Sequence, residues 1–593
     1  MYSLVMFNSQ MNLSSSKFKP RFRSIIFPLI IIIASLIAYY NSFYCAWHLD
    51  DFHAIVDYDY NSVNLWQLIM LRKQRALGFI TFFLNHKLCG YNLPCWHIVN
   101  LIIHIINSLL IYFISRRLFI KTDILINHPQ KILFGYITAL VIAVIFAVHP
   151  IQSSAVTYIV QRIELLATMF IFVSFYFFLL LLSAKKISSK IILSAGILIC
   201  IALGAITKET IVVAPVLMGA YIVIVKLKSW KSRLLVILFT SIAALTIVFS
   251  ALIMFKAITF SPALHFSAKP FEILWRDAGE SPVVYYSTQI RVLARFIRLC
   301  VFPYGQCVEF WMAPSKSFTG FLVLSASAIH LSIIVFALFM WRKRPFILFG
   351  IFWFYIFMLP SSILPNGIFE HRLYAAIAGL LIAIFIPIGY ELLNQPLRIR
   401  KTAGLISLSL VACLLISFTF MTQLRNNIWK SEYSLWRECA AASPNNWRAN
   451  VNYGYALLNR GKYNDAKIYL EKSFNQKSNV WAVANNLGLL YSYINDINGS
   501  IRMFEHGLKL KPENRLLKAN LGACYLEKGR INKGTNLLYS ARTKESFITL
   551  GNYFLQKRNY DEASKCYERV LKKYPDDVDA LAGKQAALKL AAE

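Results

Sequence analysis

Carboxylates are scarce in this chain of 593 residues. It has 29 Asp and Glu against 62 Lys and Arg, and charged residues make up only 15% of the chain. A soluble globular protein has roughly 25% charged and about 45–50% apolar residues, whereas 57% of the residues are hydrophobic here. The composition therefore excludes an ordinary soluble protein and indicates one embedded in a membrane. The ten cysteines include no CxxC pair, which excludes the common CxxC metal and redox motifs.

Apolar runs of membrane-spanning length occur eleven times. They lie at 24–44, 96–115, 132–149, 165–183, 191–206, 210–226, 234–256, 320–341, 345–361, 373–393 and 403–422. The first run is too long for a signal peptide and no small-residue cleavage site follows it, so we expect it to remain as a span. The segment 286–302 is apolar but contains three arginines, and it predicts an interfacial amphipathic helix.

Basic residues form short clusters between these runs, which is typical of a polytopic protein. The clusters are Lys17 to Arg23, Arg116 and Arg117, Lys185 to Lys190, Lys226 to Arg233, Arg342 to Arg344, and Arg398 to Lys401. With the N-terminus in the cytoplasm, alternation of the spans places every cluster on the cytoplasmic side. The net charge of +33 therefore indicates topology and contact with membrane lipid, and no nucleic acid.

The same alternation places the unusual polar loops on the opposite, exterior face. These loops are 45–95, 149–164, 207–210, 257–319 and 360–372. We expect this face, together with the C-terminal domain, to lie in the periplasm at a bacterial inner membrane. In a eukaryote it would be the lumenal face of the ER membrane.

A repeat of 34 residues begins after the last span. Gly454, Gly488 and Gly522 follow one another at this spacing. The matching small and large positions are Ala466, Ser500 and Gly534, followed by Leu470, Phe504 and Leu538, with Gly551, Ala563 and Tyr567 in a fourth unit. This is the tetratricopeptide (TPR) period, in which small residues let two helices approach closely. It predicts four units plus a terminal helix at 576–591, with a concave face suited to an extended peptide or partner segment.

The chain is thus predicted to be all-α, with four parts. They are a basic cytoplasmic tail 1–23, a transmembrane domain 24–422 with its first exterior loop at 45–95, an amphipathic linker helix 423–441, and a TPR domain 442–593. Cys89 with Cys95, and Cys300 with Cys307, flank exterior loops and are candidate disulfides.

The first exterior loop contains the paired acids Asp50 and Asp51, in the string "HLDDFHAIVDY". One carboxylate at this position is a candidate general base toward an acceptor hydroxyl, and its neighbour is a candidate for orienting a cation or the substrate. A solvated loop or a helix cap is the alternative. A metal site formed by Asp50, Asp51 and His53, with Mg²⁺ or Mn²⁺, is a further one.

Three exterior turns each place one cation at bilayer depth: Arg162, Lys208 and Arg372. Such cations suit the phosphate of a polyprenyl-phosphate donor, whose tail lies in the bilayer. Intramembrane salt bridges are the alternative. Polar residues in the same loops or at the ends of the spans are predicted to support the site: Arg75, His97, His149, Glu209 and Glu370.

The order of these motifs resembles one family. The strings are "HLDDFHAIV", "RALGFITFFLNHKL", "HIVNLIIH", "HPIQSSAVTYIVQRIELLA", "KETIVVAPVLMGAY", "FEHRLY" and "NIWKSEYSLWREC", followed by TPR repeats. The chain resembles the transmembrane-and-TPR O-mannosyltransferases and their bacterial TPR relatives, within the GT-C class of polytopic glycosyltransferases. Two departures are that Ala76 follows Arg75 where the family has proline, and that His371 is inserted between Glu370 and Arg372.

The resemblance implies a GT-C-type helix bundle with its catalytic carboxylate in the first exterior loop, on Asp50 or Asp51. It also implies a lipid-phosphate-linked sugar donor. We therefore expect transfer of mannose or another hexose to an acceptor hydroxyl, predicted to be Ser or Thr of a protein that the TPR domain binds. A non-catalytic TPR scaffold is the alternative. A transporter is disfavoured because the spans lack polar groups at mid-depth.

Overall fold

The computed structural model describes residues 18–58, 60–72, 75–121, 130–227, 281–363 and 367–593. The predicted span 234–256, the tail 1–17 and the part 257–280 of the predicted exterior loop lie outside these residues. The chain divides into two compact units, Met1–Leu435 and Trp436–Glu593. The described parts of both units are built almost entirely from helices, as the sequence predicted.

The first unit contains fourteen α-helices in its described residues. They are α1 Phe18–Tyr39, α2 Leu65–Leu71, α3 Ala76–Cys89, α4 Leu93–Ile120, α5 Lys131–Val148, α6 Ser153–Val156, α7 Arg162–Leu181, α8 Ile187–Ala205, α9 Val213–Tyr221, α10 Pro282–Val301, α11 Phe321–Met340, α12 Pro345–Ile363, α13 Leu373–Asn394 and α14 Leu397–Ile428. Two short strands, β1 Glu309–Phe310 and β2 Ile368–Phe369, pair antiparallel. Helix α15, Glu432–Ala442, crosses from the first unit into the second.

Ten helices of the described residues are long and apolar enough to cross a membrane. Each of them overlaps one predicted span, so ten of the eleven predicted runs form apolar helices of membrane-spanning length. The remaining run falls on the undescribed residues. This is the architecture of a multi-pass membrane protein.

Small residues allow a close helix contact between α12 and α13. A Cβ atom on Gly350 would collide with the carbonyl oxygen of Gly379, and the reverse also holds. Small residues at such crossings let backbones approach in a membrane, where no hydrophobic force between helices is available. The contact fixes α13, whose first residues follow the "FEHR" turn.

The second unit is a stack of helix pairs. Its helices after α15 are α16 Trp447–Leu458, α17 Tyr463–Gln476, α18 Trp481–Tyr493, α19 Ile497–Leu510, α20 Arg515–Glu527, α21 Ile531–Ala541, α22 Lys544–Gln556, α23 Tyr560–Leu571 and α24 Val578–Ala592. These form four pairs and one terminal helix, which confirms the predicted TPR array.

Each pair closes on the same contact between a glycine and a large side chain sixteen residues later. A Cβ atom on Gly454 would lie 2.6 Å from Leu470, and one on Gly488 would lie 2.7 Å from Phe504. The corresponding distances are 2.8 Å from Gly522 to Leu538 and 2.6 Å from Gly551 to Tyr567. The 34-residue period thus reflects a steric requirement that recurs in every unit.

The variant Gly488→Val should destabilise the second unit by about 1–3 kcal/mol, because Phe504 is buried and has no room to yield. Protease resistance of the C-terminal unit, followed against temperature in the full-length protein, measures the effect. Gly404→Val is the matched control, since nothing lies within 4 Å of that Cβ position. Equal resistance of the two variants would contradict the steric account.

Candidate functional site

The two adjacent aspartates of the first loop have opposite environments. Asp51 is fully buried, and its carboxylate accepts backbone hydrogen bonds from His48 N at 3.0 Å and from Val160 N at 2.7 Å. Burial raises the pKa of Asp51 to about 7, against the opposing effect of these two N–H donors. Asp51 therefore connects the first exterior loop to the exterior loop 149–164, and each of its two oxygens accepts a hydrogen bond.

Asp50 is exposed, by contrast, and its carboxylate is open to solvent. Its backbone N–H donates to the hydroxyl of Tyr158 at 2.9 Å. Leu49, just before it, has a left-handed φ of 50°, a conformation that is costly for a bulky residue and is often found at functional sites. The turn at Leu49 thus separates an inward Asp51 from an accessible Asp50.

A polar cage behind this turn connects it to the end of α14. His48 is buried, with Nδ1 2.7 Å from Glu432 Oε1 and Nε2 2.6 Å from the carbonyl oxygen of Trp429. Because the carbonyl can only accept, Nε2 is the donor to Trp429. The Tyr158 ring stacks on Trp429 at 5.4 Å. The first exterior loop is therefore held in place by residues that are far away in sequence.

Three residues near the acids were not predicted from the sequence as site residues: Tyr158, Trp429 and Glu432. A signal was available, because all three lie in strings on which the family resemblance rests. The segment 423–441, predicted as a linker helix, contributes Trp429 and Glu432 to the cage around the acids.

Arg162, a predicted phosphate ligand, is completely buried at the start of α7. Its guanidinium donates four hydrogen bonds, to Asn100 Oδ1 at 2.8 Å, Asn85 Oδ1 at 2.7 Å, Trp96 O at 3.1 Å and Thr81 O at 3.3 Å. It also lies over the rings of Phe82 and Trp96. Arg162 thus joins α3, α4 and α7, and phosphate binding there stays a prediction that requires some of these bonds to open.

The other two predicted phosphate ligands belong to a cationic group. Lys208 Nζ donates to Glu164 Oε2 at 2.5 Å. The charges of Lys208, Arg372 and Arg75 all act on the imidazole of His371. Three positive charges therefore act on one imidazole, and Glu164 is the carboxylate that pairs with one of them. The group has more positive than negative charge, which suits an anion.

Arg372 is partly buried and donates through Nη1 to the carbonyl oxygen of Ser361 at 3.2 Å. Its guanidinium lies 5.4 Å from the centre of the Phe369 ring. These contacts leave donors of the guanidinium for another partner. Arg75, at the start of α3, is exposed.

Glu370 anchors the turn that presents His371 and Arg372. It is buried, accepts from Cys307 N at 2.7 Å, and lies 3.9 Å from Arg295 and 3.7 Å from Arg425. The pairing of β1 with β2 fixes the residues just before it. Glu370 is therefore a positioning residue for the turn.

The two predicted supporting histidines lie within hydrogen-bond distance of backbone groups, and the remaining supporting residue, Glu209, lies at the surface. His97 Nε2 lies 3.1 Å from the carbonyl oxygen of Cys45. His149 accepts from Ile151 N through Nδ1 and donates through Nε2 to Cys300 O, and burial lowers its pKa to about 3, so it stays neutral. Glu209 is exposed at the start of a 3₁₀ turn.

No three His, Cys, Asp or Glu side chains gather as metal ligands within the part of the chain that the structure describes. His53, proposed from the sequence as a third ligand beside the two aspartates, is 88% exposed and pairs with Asp57 at 3.5 Å. Of the two candidate disulfides, Cys89–Cys95 is formed and Cys300 and Cys307 are free thiols.

Comparison with known proteins matches both units. The tetratricopeptide-repeat family matches residues 448–479, 482–514 and 545–577. Protein O-mannosyl-transferase F38B6.6 of Caenorhabditis elegans is 25% identical over 68% of this chain and 55% of its own length. Protein O-mannosyl-transferase TMTC3 of Mus musculus is 22% identical over 93% of this chain and 60% of its own length. The crystal structure of MamA is 20% identical over 24% of this chain and 85% of its own, with a TM-score of 0.22.

The chain thus spans little more than half the length of these curated relatives. The resemblance predicted from the order of the motifs is confirmed.

Proposed function

We propose, from the resemblance to transmembrane-and-TPR O-mannosyltransferases, that this chain is a membrane glycosyltransferase of the GT-C class. It would transfer mannose or another hexose from a polyprenyl-phosphate-linked donor to a Ser or Thr hydroxyl of a protein. The reaction would occur on the exterior face, which is periplasmic in a bacterium and lumenal at an ER membrane.

The observation that supports this proposal most is the difference between the paired acids. Asp51 is buried and bonded through both oxygens, whereas the adjacent Asp50 is open to solvent and fixed by the Tyr158 hydroxyl through its backbone. A base must be both accessible and held in place. Asp50 meets both conditions. The hydrogen bonds of the adjacent Asp51 help to hold Asp50 in place.

The proposed reaction is an inverting displacement. Asp50 takes the proton of the acceptor hydroxyl while the hydroxyl oxygen attacks the anomeric carbon of the sugar. The bond from this carbon to the phosphate oxygen breaks, and polyprenyl phosphate leaves with its electron pair. Lys208 and Arg372 meet the negative charge that grows on the phosphate, which is the main contribution such sites make to rate. Asp50 then returns its proton to water.

Arg162 has a different role from Lys208 and Arg372 in the proposed reaction. Its four hydrogen bonds, two to α3 and two to α4, keep the start of α7 in position. Glu164, two residues later, holds Lys208. Arg162 would thus position the cationic group, and a direct phosphate contact is the further prediction for it.

The TPR array would bind the protein acceptor, since stacked repeats offer a concave surface for extended segments. The same array is consistent with a non-catalytic scaffold. A scaffold, however, requires only an anchor, and it gives no reason for an exposed aspartate on a strained turn.

The test is sugar transfer in membranes that contain the full-length protein. Labelled polyprenyl-phosphate mannose and a Ser/Thr-rich protein acceptor are supplied, and acceptor-bound label is measured with and without EDTA. Loss of transfer in EDTA would assign a divalent metal to the site, whereas equal transfer in both conditions would assign the aspartate the role of a base without a metal. Absence of transfer from mannose, glucose and other hexose donors alike would favour the scaffold.

A further inference from the structure

A cavity of about 390 Å³ lies beside the start of α11, in the first unit. One wall is polar and includes Arg291, Ser315 and Lys316, and the other is apolar and includes Phe321 and Leu322. None of the residues of the proposed catalytic site lines it. Its volume is in the range of small-ligand sites, about 300–1,000 Å³.

The polar wall is fixed in advance by side chains of α10. Ser287 Oγ donates to the carbonyl oxygen of Ser315 at 2.5 Å, and Ser315 N donates to Thr288 Oγ1 at 2.8 Å. Arg291 Nη1 donates to Ala313 O at 2.8 Å and to Ser315 Oγ at 2.7 Å. Ser287 and Thr288 are buried. The segment around Ser315 is therefore held as a rigid wall.

The charged side chains that line the cavity are both positive. Arg291 and Lys316 are its ionisable residues, and no carboxylate is among the residues that line the cavity. Only one nitrogen of Arg291, Nη1, is engaged within the described residues, so the remaining donors of the guanidinium face no competitor there. Gly320 is the N-cap of α11 and has no side chain to accept from the first backbone N–H groups of this helix. These N–H groups therefore add to the positive potential at the cavity. The cavity therefore suits an anion.

The apolar wall continues into a helix surface that would face lipid. Helix α11 has a mean hydropathy of 2.4, and only 17% of its span is buried. Phe321 is 82% exposed, Leu322 58% and Leu324 54%. In a membrane, these side chains would contact acyl chains. An anion at the polar wall with hydrocarbon at the apolar wall is the chemistry of a phospholipid.

We propose that this cavity binds the headgroup of an anionic glycerophospholipid such as phosphatidylglycerol. Its phosphate pairs with Arg291 and Lys316, and its acyl chains lie along Phe321, Leu322 and Leu324. A headgroup that lacks an ammonium group matches a lining that lacks carboxylates. This site is independent of the proposed transferase activity.

The test is native mass spectrometry of the full-length protein with phosphatidylglycerol and phosphatidylcholine. The wild type should retain one more phosphatidylglycerol than the double variant Arg291→Gln/Lys316→Gln, and the affinity difference should be about 10-fold or more, as for loss of charge-assisted bonds to phosphate. Lys316→Glu guards against misfolding, because Lys316 makes no hydrogen bond or ion pair within the described residues. Lys462→Gln/Lys533→Gln, which removes two exposed charges of the second unit, is the control and should retain as much phosphatidylglycerol as the wild type.

Equal retention by the wild type, the double variant and Lys316→Glu would overturn the proposal. Equal retention of phosphatidylcholine would overturn its selectivity for an anionic headgroup. Displacement of phosphatidylglycerol by soluble glycerol phosphate at similar concentration would overturn the role of the apolar wall. Tighter binding of polyprenyl phosphate through Arg291 and Lys316 would assign the cavity to that lipid and overturn the phospholipid.

Discussion

Asp50→Asn should lower sugar transfer by about 10²- to 10⁴-fold, the usual contribution of a general base. The amide cannot take the proton of the acceptor hydroxyl. It has nearly the shape of the carboxylate and keeps an oxygen that can accept from the Tyr158 hydroxyl, and the bond from the backbone N–H of residue 50 to Tyr158 is unchanged, so the loop should stay folded. The loss should appear in kcat, with the KM for the donor little changed. Initial rates in proteoliposomes measure both.

Asp57→Asn is the matched control for this variant. Asp57 is an exposed carboxylate in the same loop, paired only with the exposed His53 among the described residues, so the rate should be unchanged. A normal rate for Asp50→Asn would contradict the assignment of the base.

Asp51→Asn separates the two acids further. An amide has one oxygen, and its NH₂ group would oppose one of the two backbone donors, His48 N or Val160 N. The expected result is a lower unfolding temperature together with lower activity. Full thermal stability with complete loss of transfer would instead move the base from Asp50 to Asp51.

The difference between Asp50 and Asp51 lies outside what the sequence could show. Which of them is buried depends on the positive φ of Leu49 and on an N–H donor at Val160, more than a hundred residues away. The pattern "DD" contains neither. The cage of His48, Trp429 and Glu432 was equally hidden from the sequence, because its hydrogen bonds join residues that are 381 and 384 positions apart. A local pattern at 423–441 indicates only an amphipathic helix.

Other features were predictable because their cause is local. The TPR period is visible because each glycine must accommodate a large residue of its own unit. The spans are visible because each must be apolar over about twenty residues. Arg162 was visible as a cation at bilayer depth in an exterior turn. Its partners, Asn85 and Asn100, lie on two other helices, so the sequence could not show that neutral acceptors surround it. Its role as a phosphate ligand stays a prediction.

Lys208→Met should lower kcat by about 10²- to 10³-fold, as does the loss of one charge-stabilising donor at other acyl- and phosphoryl-type sites. Without Lys208, the negative charge on the departing phosphate is met by Arg372 alone. A single variant is ambiguous, however, because it leaves Glu164 buried at 7% exposure without its partner. An unpaired buried charge destabilises a protein by about 3–5 kcal/mol, and lower activity could then reflect unfolding.

The double variant Lys208→Met/Glu164→Gln resolves this ambiguity, because it removes both charges of the pair. If the pair served stability alone, the double variant would regain both the unfolding temperature and the rate. The phosphate role predicts that stability recovers while transfer stays low, and that the unfolding temperature and the rate are thereby uncoupled. Lys185→Met, an exposed lysine in a basic cluster between α7 and α8, controls for loss of a surface charge. Wild-type transfer by the double variant would exclude Lys208 from the phosphate site.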